Sequence, residues 1–305
     1  MGAWHLAFLA GVGIISARGL NRGIEIANRI RGPLLLALML ILVVYALMTG
    51  DVVRAARFAL LPSAAGLSGA AILAAIGQAF FATGVGMAMM IAYGAYVPRG
   101  TSLVRAALLI SGSIVLVSLL ATALVFPLVF RYGMDPAAGP ALVFDVLPTA
   151  FAEMPAGRLI ETSFFLLLVL AALTPSLAAF EPVVAWLEQR GLRRDSAAGV
   201  TAALAWVVGL GSVLSFSLWS HWYPFGAIPG FATSTFFDIA DFVSSNVLLP
   251  LGALLTCALI GWWQSWDTFE SELIDSTTRA RRACRFLLRY VCPVAILGVF
   301  AAAYL

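Results

Sequence analysis

Long apolar runs recur along the whole 305-residue chain, and this feature restricts the folds available to it more than any other. Eight runs approach or exceed the roughly 20 residues that a helix needs to cross a bilayer. They cover residues 4–20, 32–49, 71–97, 102–130, 159–188, 196–219, 235–263 and 284–304. None alternates apolar and polar residues as the strands of a membrane barrel do, so the runs predict helices.

The composition excludes a soluble protein. Apolar residues make up 62% of the chain and charged residues 11%, whereas soluble domains have about 45–50% and about 25%. We therefore predict an all-α, polytopic membrane protein with about eight transmembrane helices in one membrane domain, residues 1–305. The basic residues are all arginines between apolar runs, which is not a nucleic-acid-binding pattern. Three cysteines, Cys257, Cys284 and Cys292, form no CxxC pair and are interpreted as packing residues.

Arginines set the predicted orientation, because cytoplasmic loops carry an excess of basic residues. Fourteen of the eighteen follow the first, third, fifth or seventh run. These are Arg18, Arg22, Arg29, Arg31, Arg99, Arg105, Arg190, Arg193, Arg194, Arg279, Arg281, Arg282, Arg285 and Arg289. Both ends of the chain are then exterior, and residues 131–158 are expected to form a compact exterior cap. An exterior start without a signal peptide suggests that an odd number of helices precedes the first run.

Two runs carry irregularities that could expose backbone groups to a solute. The third run contains Gly84 and Gly86 near its middle, which predicts a broken helix lining a cavity. Close packing through small residues is the alternative. The fifth run contains Thr174, Pro175 and Ser176, which predicts an interruption that frees oxygen atoms. A kink satisfied by the hydroxyls is the alternative there.

Five strings of the sequence resemble the bacterial branch of the neurotransmitter:sodium symporter family. They are GIEIANRIRGP, GQAFFATGVGMAMMIAYGAY, DPAAGPALVFDVLPTAFAEMP, LAALTPSLAAFEPVVAWLE and FDIADFVSSNVLLPLG. The match runs in order from the family's fourth helix to its eleventh. The resemblance implies part of a fold made of two inverted five-helix repeats, in which the broken first and sixth helices hold substrate and ions. The third run corresponds to that sixth helix, and the family's first three helices have no counterpart in these residues.

The resemblance also assigns roles to individual residues. Phe81 becomes the lid over the substrate, and Ala82, Gly84 and Met87, with Ala179, line its pocket. Tyr96 belongs to the cytoplasmic gate, and Asp241 corresponds to an exterior-gate aspartate whose arginine partner lies on the absent first helix. Gly23 and Pro33 match a glycine, nine residues, proline pattern at which the family's fifth helix unwinds.

Sodium binding is where the sequence departs from the family. One family site takes side-chain oxygens from the positions of Ala82 and Ile114, which are hydrocarbon here. The other uses a carbonyl at Ala171 and hydroxyls at Thr174 and Pro175. The last is lost, but Ser176 could replace it. We therefore expect one Na⁺ site, at Ala171 and Thr174, and no other cofactor.

The resulting hypothesis is an ion-coupled, non-enzymatic symporter of amino acids or related amines in the bacterial inner membrane. Its partners are a small-molecule substrate, the lipid bilayer and the missing N-terminal helices, or a second chain that supplies them. With half of the cavity absent, the 305 residues alone are not expected to transport. A truncated or non-transporting membrane subunit is the alternative. An amino acid/polyamine permease is a weaker one, against which the GQAFF and GPALVFDVLP strings argue.

Overall fold

The computed structural model is helical throughout the part of the chain that it describes. It describes residues 1–19, 25–61, 68–98, 100–136, 142–228, 230–265, 269, 273 and 278–302. Within these ranges there is no β-strand. The predicted all-α membrane fold is therefore confirmed.

Eleven helices can be numbered in the described residues. They are α1 (Gly2–Ala17), α2 (Glu25–Thr49), α3 (Val52–Leu60), α4 (Gly69–Thr83), α5 (Met89–Gly94), α6 (Leu103–Arg131), α7 (Leu147–Ala152), α8 (Gly157–Gln189), α9 (Arg194–Ser215), α10 (Phe236–Trp263) and α11 (Thr278–Ala301). Residues Leu142–Val146, before α7, and segments of α10 and α11 are π-helical.

Six of these helices are long and apolar enough to cross a membrane: α2, α6, α8, α9, α10 and α11. The first predicted span is α1, which has only 16 residues. The third is divided between α4 and α5. Large apolar side chains such as Leu108, Val115 and Val294 are 69%, 58% and 70% exposed, which is the surface expected of helices in hydrocarbon.

Three local features differ from the sequence-based expectations. Helix α2 begins at Glu25, so Arg29 and Arg31 are helical and not in a loop. Helix α8 continues through Pro175, because a membrane helix tolerates proline when neighbouring groups satisfy the backbone. Helix α3 was not predicted, and its start is capped by the Asp51 carboxylate, which accepts a hydrogen bond from the Arg54 N–H at 3.0 Å.

The described residues form two compact units. The first comprises Met1–Ile24, Gly69–Leu109 and Ser176–Leu305, and the second Glu25–Ser68 and Ile110–Pro175. Two of the four chain boundaries between the units, 109/110 and 175/176, lie inside the long helices α6 and α8. The assignment of residues 1–305 to a single membrane domain stays a prediction.

In the first unit, α1 packs along α9 and α4 packs against α11. Glycine makes the α1 and α9 contact possible, since a methyl group on Gly209 would collide with the His5 ring. The next connection is made by Ser215, whose side-chain oxygen accepts a hydrogen bond from the Phe237 N–H at 3.1 Å. This bond joins the end of α9 to the start of α10.

The second unit has the larger apolar core, built by α2, α6, α7 and α8. Its fully or almost fully buried side chains include Leu42, Leu128, Phe151 and Phe164. The Phe151 and Phe164 rings lie 5.3 Å apart between centroids, which packs the predicted cap against α8. Residues 131–158 therefore contain folded structure, and their exterior location remains a prediction.

The arginine distribution gives a testable membrane orientation. Ser220 follows α9, on the side predicted to be exterior, and Ser196 begins α9 on the predicted cytoplasmic side. In a background without native cysteines, Ser220→Cys in sealed cells should react with a membrane-impermeant maleimide, and Ser196→Cys should react only after permeabilisation. Labelling of Ser196→Cys in intact cells would contradict the orientation.

Candidate transport site

The third apolar run is broken at its centre. Helix α4 ends at Thr83 and α5 begins at Met89, and both glycines between them adopt positive φ angles, +66° at Gly84 and +91° at Gly86. Ala88 is also left-handed, with φ 59°. Glycine reaches this region without strain, which explains why the helix ends here and does not continue. The break replaces regular helical hydrogen bonds by turn bonds within an otherwise apolar segment: the Gly84 N–H donates to the Phe81 carbonyl at 3.1 Å, and the Met87 N–H to the Gly84 carbonyl at 3.3 Å.

Gly86 is also a point of backbone contact with α10. A methyl group on Gly86 would collide with the Leu249 carbonyl oxygen and lie 2.8 Å from the Ala253 nitrogen. The contact is reciprocal, because a methyl group on Gly252 would collide with the Gly86 carbonyl oxygen. The broken segment is thus held directly against the backbone of α10, with no side chain between them.

Four of the five predicted substrate residues lie just before this break or within it. Phe81 is 52% exposed at the end of α4, and Ala82 beside it is also exposed. Gly84 and Met87 lie in the break itself and are half-buried. The fifth predicted residue, Ala179, is exposed on α8. Four of the five therefore form one continuous segment, whose side chains are apolar and whose backbone is polar.

The predicted sodium residues lie on α8. Pro175 lacks an N–H, so the Ala171 carbonyl, four residues earlier, has no helical donor from that position. The Thr174 hydroxyl accepts a hydrogen bond from Arg31 Nη2 at 2.7 Å. Arg31 is 6% exposed and also donates to the Asn28 side-chain oxygen. A guanidinium group therefore contacts an oxygen that was expected to coordinate a cation.

Around Tyr96, the predicted cytoplasmic-gate residue, the first unit has a charged cluster. The Tyr96 hydroxyl donates to Glu181 Oε1 at 3.3 Å. Glu181 is completely buried and pairs with Arg194, whose Nη2 lies 2.6 Å from Oε2 and whose Nη1 lies 3.1 Å from Oε1. Arg194 also contacts Glu188 at 3.0 Å and donates from Nε to the Ser16 carbonyl at 3.0 Å.

This cluster joins four segments of the first unit through Arg194 and Glu181. It ties the end of α1, the residues after α5, the second half of α8 and the start of α9. Two parallel N–H···O bonds from a guanidinium to one carboxylate strengthen the interaction and also fix its geometry. The position of Tyr96 is therefore set by a group whose own orientation is fixed.

The exterior-gate candidate has no such anchor among the residues that the structure describes. Asp241 is exposed, accepts a hydrogen bond from the Ser245 hydroxyl at 3.4 Å and has no described basic side chain within ion-pair distance. Its neighbour Asp238 forms a capping box with Thr235 at the start of α10. Pro33 is exposed inside α2. Gly23 lies outside the described residues.

Three functional candidates were missed by sequence reasoning: Glu181, Arg194 and Arg31. An acidic residue inside an apolar run is a functional hypothesis by default, and this signal was available for Glu181. Arg194 and Arg31 were assigned to loops because they flank the runs. Only the fold places Arg194 beside Glu181 and Arg31 beside Thr174.

Comparison with known proteins identifies the family. The sequence profile of the Sodium:neurotransmitter symporter family matches residues 4–305. The chain belongs to this family. A sodium-dependent transporter of Bacillus subtilis (strain 168), YhdH, is 34% identical over 302 residues, which are 98% of this chain and 65% of that protein. A sodium-dependent transporter of Haemophilus influenzae is 29% identical over 293 residues, 94% of this chain and 62% of its own length.

A solved structure extends the likeness to the fold. MhsT, crystallised in complex with L-phenylalanine, superimposes with a TM-score of 0.86 at 34% identity, covering 99% of this chain and 68% of the MhsT chain. The chain spans less than two thirds of the length of each of the two curated relatives described above. The likeness in fold therefore extends over nearly all of the chain.

Proposed function

We propose that the protein is a sodium-coupled symporter of amino acids or related amines in the bacterial inner membrane. The observation that carries this proposal is the break between Thr83 and Met89, which places polar backbone inside an apolar segment. Family membership supports sodium coupling, and the phenylalanine bound to MhsT supports an amino acid as substrate. Both ends of the 305-residue chain are assigned to the exterior side.

The proposed substrate site uses the two chemical characters of the broken segment. Backbone N–H and C=O groups of the break would bind the charged ends of the substrate once the turn bonds from the Gly84 N–H to the Phe81 carbonyl and from the Met87 N–H to the Gly84 carbonyl open. Phe81 would close over it, and the small or apolar side chains of Ala82, Met87 and Ala179 would accept an apolar side chain. An amino acid with a bulky hydrophobic side chain fits this lining better than one with a charged side chain, because the side chains of Phe81, Ala82, Met87 and Ala179 cannot pair with a charge.

The proposed ion site consists of the Ala171 carbonyl, the Thr174 hydroxyl and the Ser176 hydroxyl. A second site is not proposed, because Ala82 and Ile114 supply hydrocarbon where Na⁺ needs oxygen. Sodium dependence is accordingly expected to follow a Hill coefficient near one.

The gates are assigned to groups at the two ends of the proposed pathway. Tyr96, held by Glu181 and Arg194, would close the cytoplasmic end. Asp241 would act at the exterior end, where its exposed carboxylate is open to a partner. Gly23 and Pro33 would allow the start of α2 to unwind, since proline removes one helical hydrogen bond.

The proposal is tested by uptake into proteoliposomes that contain residues 1–305 together with the family's first three helices, because the 305 residues alone are not expected to transport. An inward Na⁺ gradient should drive accumulation of radiolabelled phenylalanine or leucine, and replacement of Na⁺ by choline should stop it. If no member of a panel of twenty amino acids and common biogenic amines accumulates under any ion gradient, the proposal fails.

Phe81→Ala should weaken substrate binding with little effect on folding. The ring is 52% exposed, so the folded protein gains little from it, whereas a bound substrate would cover it. Loss of one aromatic contact of this kind costs about 2 kcal/mol, or roughly thirtyfold in Kd. Equilibrium binding and the melting temperature should be measured together. Phe58→Ala, at another half-exposed ring, is the control for nonspecific loss of an aromatic group. Unchanged binding in Phe81→Ala would remove this residue from the site.

A further inference from the structure

The Thr174 hydroxyl has a cationic partner within the protein. Arg31 Nη2 donates to it at 2.7 Å, and both residues belong to the second compact unit. Arg31 is only 6% exposed, although it is flanked by the exposed residues Ile30 and Gly32. The Asn28 side-chain oxygen, one turn earlier on α2, accepts from the same guanidinium nitrogen. The guanidinium is thus directed at Thr174 from a buried position.

A sodium ion and this guanidinium require the same oxygen. Direct coordination of Na⁺ by Thr174 would place a second full positive charge within a few ångströms of Arg31, and like charges at that distance repel. Arginine cannot relieve the repulsion by losing its proton, because its pKa is too high. The guanidinium must leave the hydroxyl before the ion can bind to it.

We propose that Arg31 is an intramolecular competitor of Na⁺ at Thr174. While Arg31 donates to the Thr174 hydroxyl, its guanidinium supplies the positive charge that a sodium ion would otherwise bring to the site. Movement of Arg31 away opens the site, so the measured affinity for Na⁺ includes the cost of that movement. This inference rests on the proposed assignment of Thr174 as an ion ligand, and it names the residue that determines how tightly the ion is held.

The competition acts on every cation that the site takes. Each of them must displace the same hydrogen-bonded guanidinium, so Arg31 lowers all of their affinities by the same factor. Removal of Arg31 should therefore strengthen binding of Na⁺ and of Li⁺ by a similar factor. A purely structural role for Arg31 would change stability without a systematic change in ion affinity.

Direct binding of ²²Na⁺ to the purified full-length protein tests the proposal independently of transport. Arg31→Gln keeps a hydrogen-bond donor and removes the charge, and it should tighten Na⁺ binding by about tenfold or more. Arg31→Lys keeps the charge on a shorter, non-planar group and should tighten it less. Arg29→Gln removes an exposed charge from the same helix and should leave the affinity unchanged. The double variant Arg31→Gln with Thr174→Val should lose the gain.

The possible outcomes separate this inference from the proposed function. If wild type and Arg31→Gln bind Na⁺ equally, the competition is refuted and sodium coupling stands. If only Arg31→Gln binds Na⁺, the competition stands and sodium coupling at Thr174 in the wild-type protein fails. If neither binds, both are refuted. Should Arg31→Gln fail to fold, the same comparison between Arg31→Lys and Arg29→Gln decides, and equal affinities there refute the competition.

Discussion

Gly86→Ala should destabilise the protein by about 3 kcal/mol or more, because it combines backbone strain with overpacking. Gly86 has φ +91°, a conformation that alanine adopts only with strain. Its added methyl group would also collide with the Leu249 carbonyl oxygen and approach the Ala253 nitrogen to 2.8 Å. Both are backbone atoms of α10, so no flexible side chain can move aside. The helices must separate to accommodate the substitution.

Gly84→Ala is the matched control for this effect. Gly84 also has a positive φ, +66°, but the closest atom to its added methyl group would be Met89 Sδ at 3.7 Å, an ordinary contact. It should cost only about 1 kcal/mol, from backbone strain alone. The two variants should be compared by the melting temperature of the detergent-solubilised, full-length protein. Equal shifts would show that Gly86 does not contact α10 as closely as described.

The break in the third run could be predicted from sequence because its cause is local. Two glycines separated by one residue weaken a helix whatever surrounds it, so the position of the break can be read from Gly84 and Gly86. Their second role could not be read in the same way. The contact of Gly86 with Leu249 and Ala253 depends on which helix lies opposite, and that information is not local.

The fifth run shows the limit of the same reasoning. Pro175 predicts an interruption when only the missing N–H is considered, yet α8 remains helical through it. In a membrane, neighbouring side chains and waters can satisfy the freed carbonyl, and breaking the helix would expose more backbone than proline does. The freed oxygen at Ala171 stays a prediction, and the expected interruption of the helix is wrong.

Charged partners were the least predictable part of the candidate site. Arg31 and Arg194 flank apolar runs, where arginine normally anchors a helix end in the headgroup region. Arg31 pairs with Thr174 across 143 positions, and Arg194 pairs with Glu181 across 13. Neither separation lies within the three or four residues over which helix geometry predicts a contact. Only the tertiary fold distinguishes these two arginines from the twelve others assigned to the cytoplasmic side.

Arg194→Met should destabilise the protein by about 3–5 kcal/mol, because it removes one partner of a buried ion pair. Glu181 is completely buried, and both of its carboxylate oxygens accept hydrogen bonds from the Arg194 guanidinium. Without Arg194, the Tyr96 hydroxyl is the remaining described donor to that carboxylate. The uncompensated charge, and not the lost attraction itself, accounts for most of the expected effect.

Two further variants separate these contributions. Arg193→Met is the control for loss of an arginine at the start of α9, because its side chain is 85% exposed and its pair with Asp195 should contribute less than about 1 kcal/mol. The double variant Arg194→Met with Glu181→Leu removes both charges and should recover most of the lost stability, since an apolar pair of similar volume can replace a buried ion pair. Urea or thermal unfolding of the four proteins supplies the comparison. If the double variant is no more stable than Arg194→Met, the destabilisation comes from the lost contacts to Ser16 and Glu188 and not from the stranded carboxylate of Glu181.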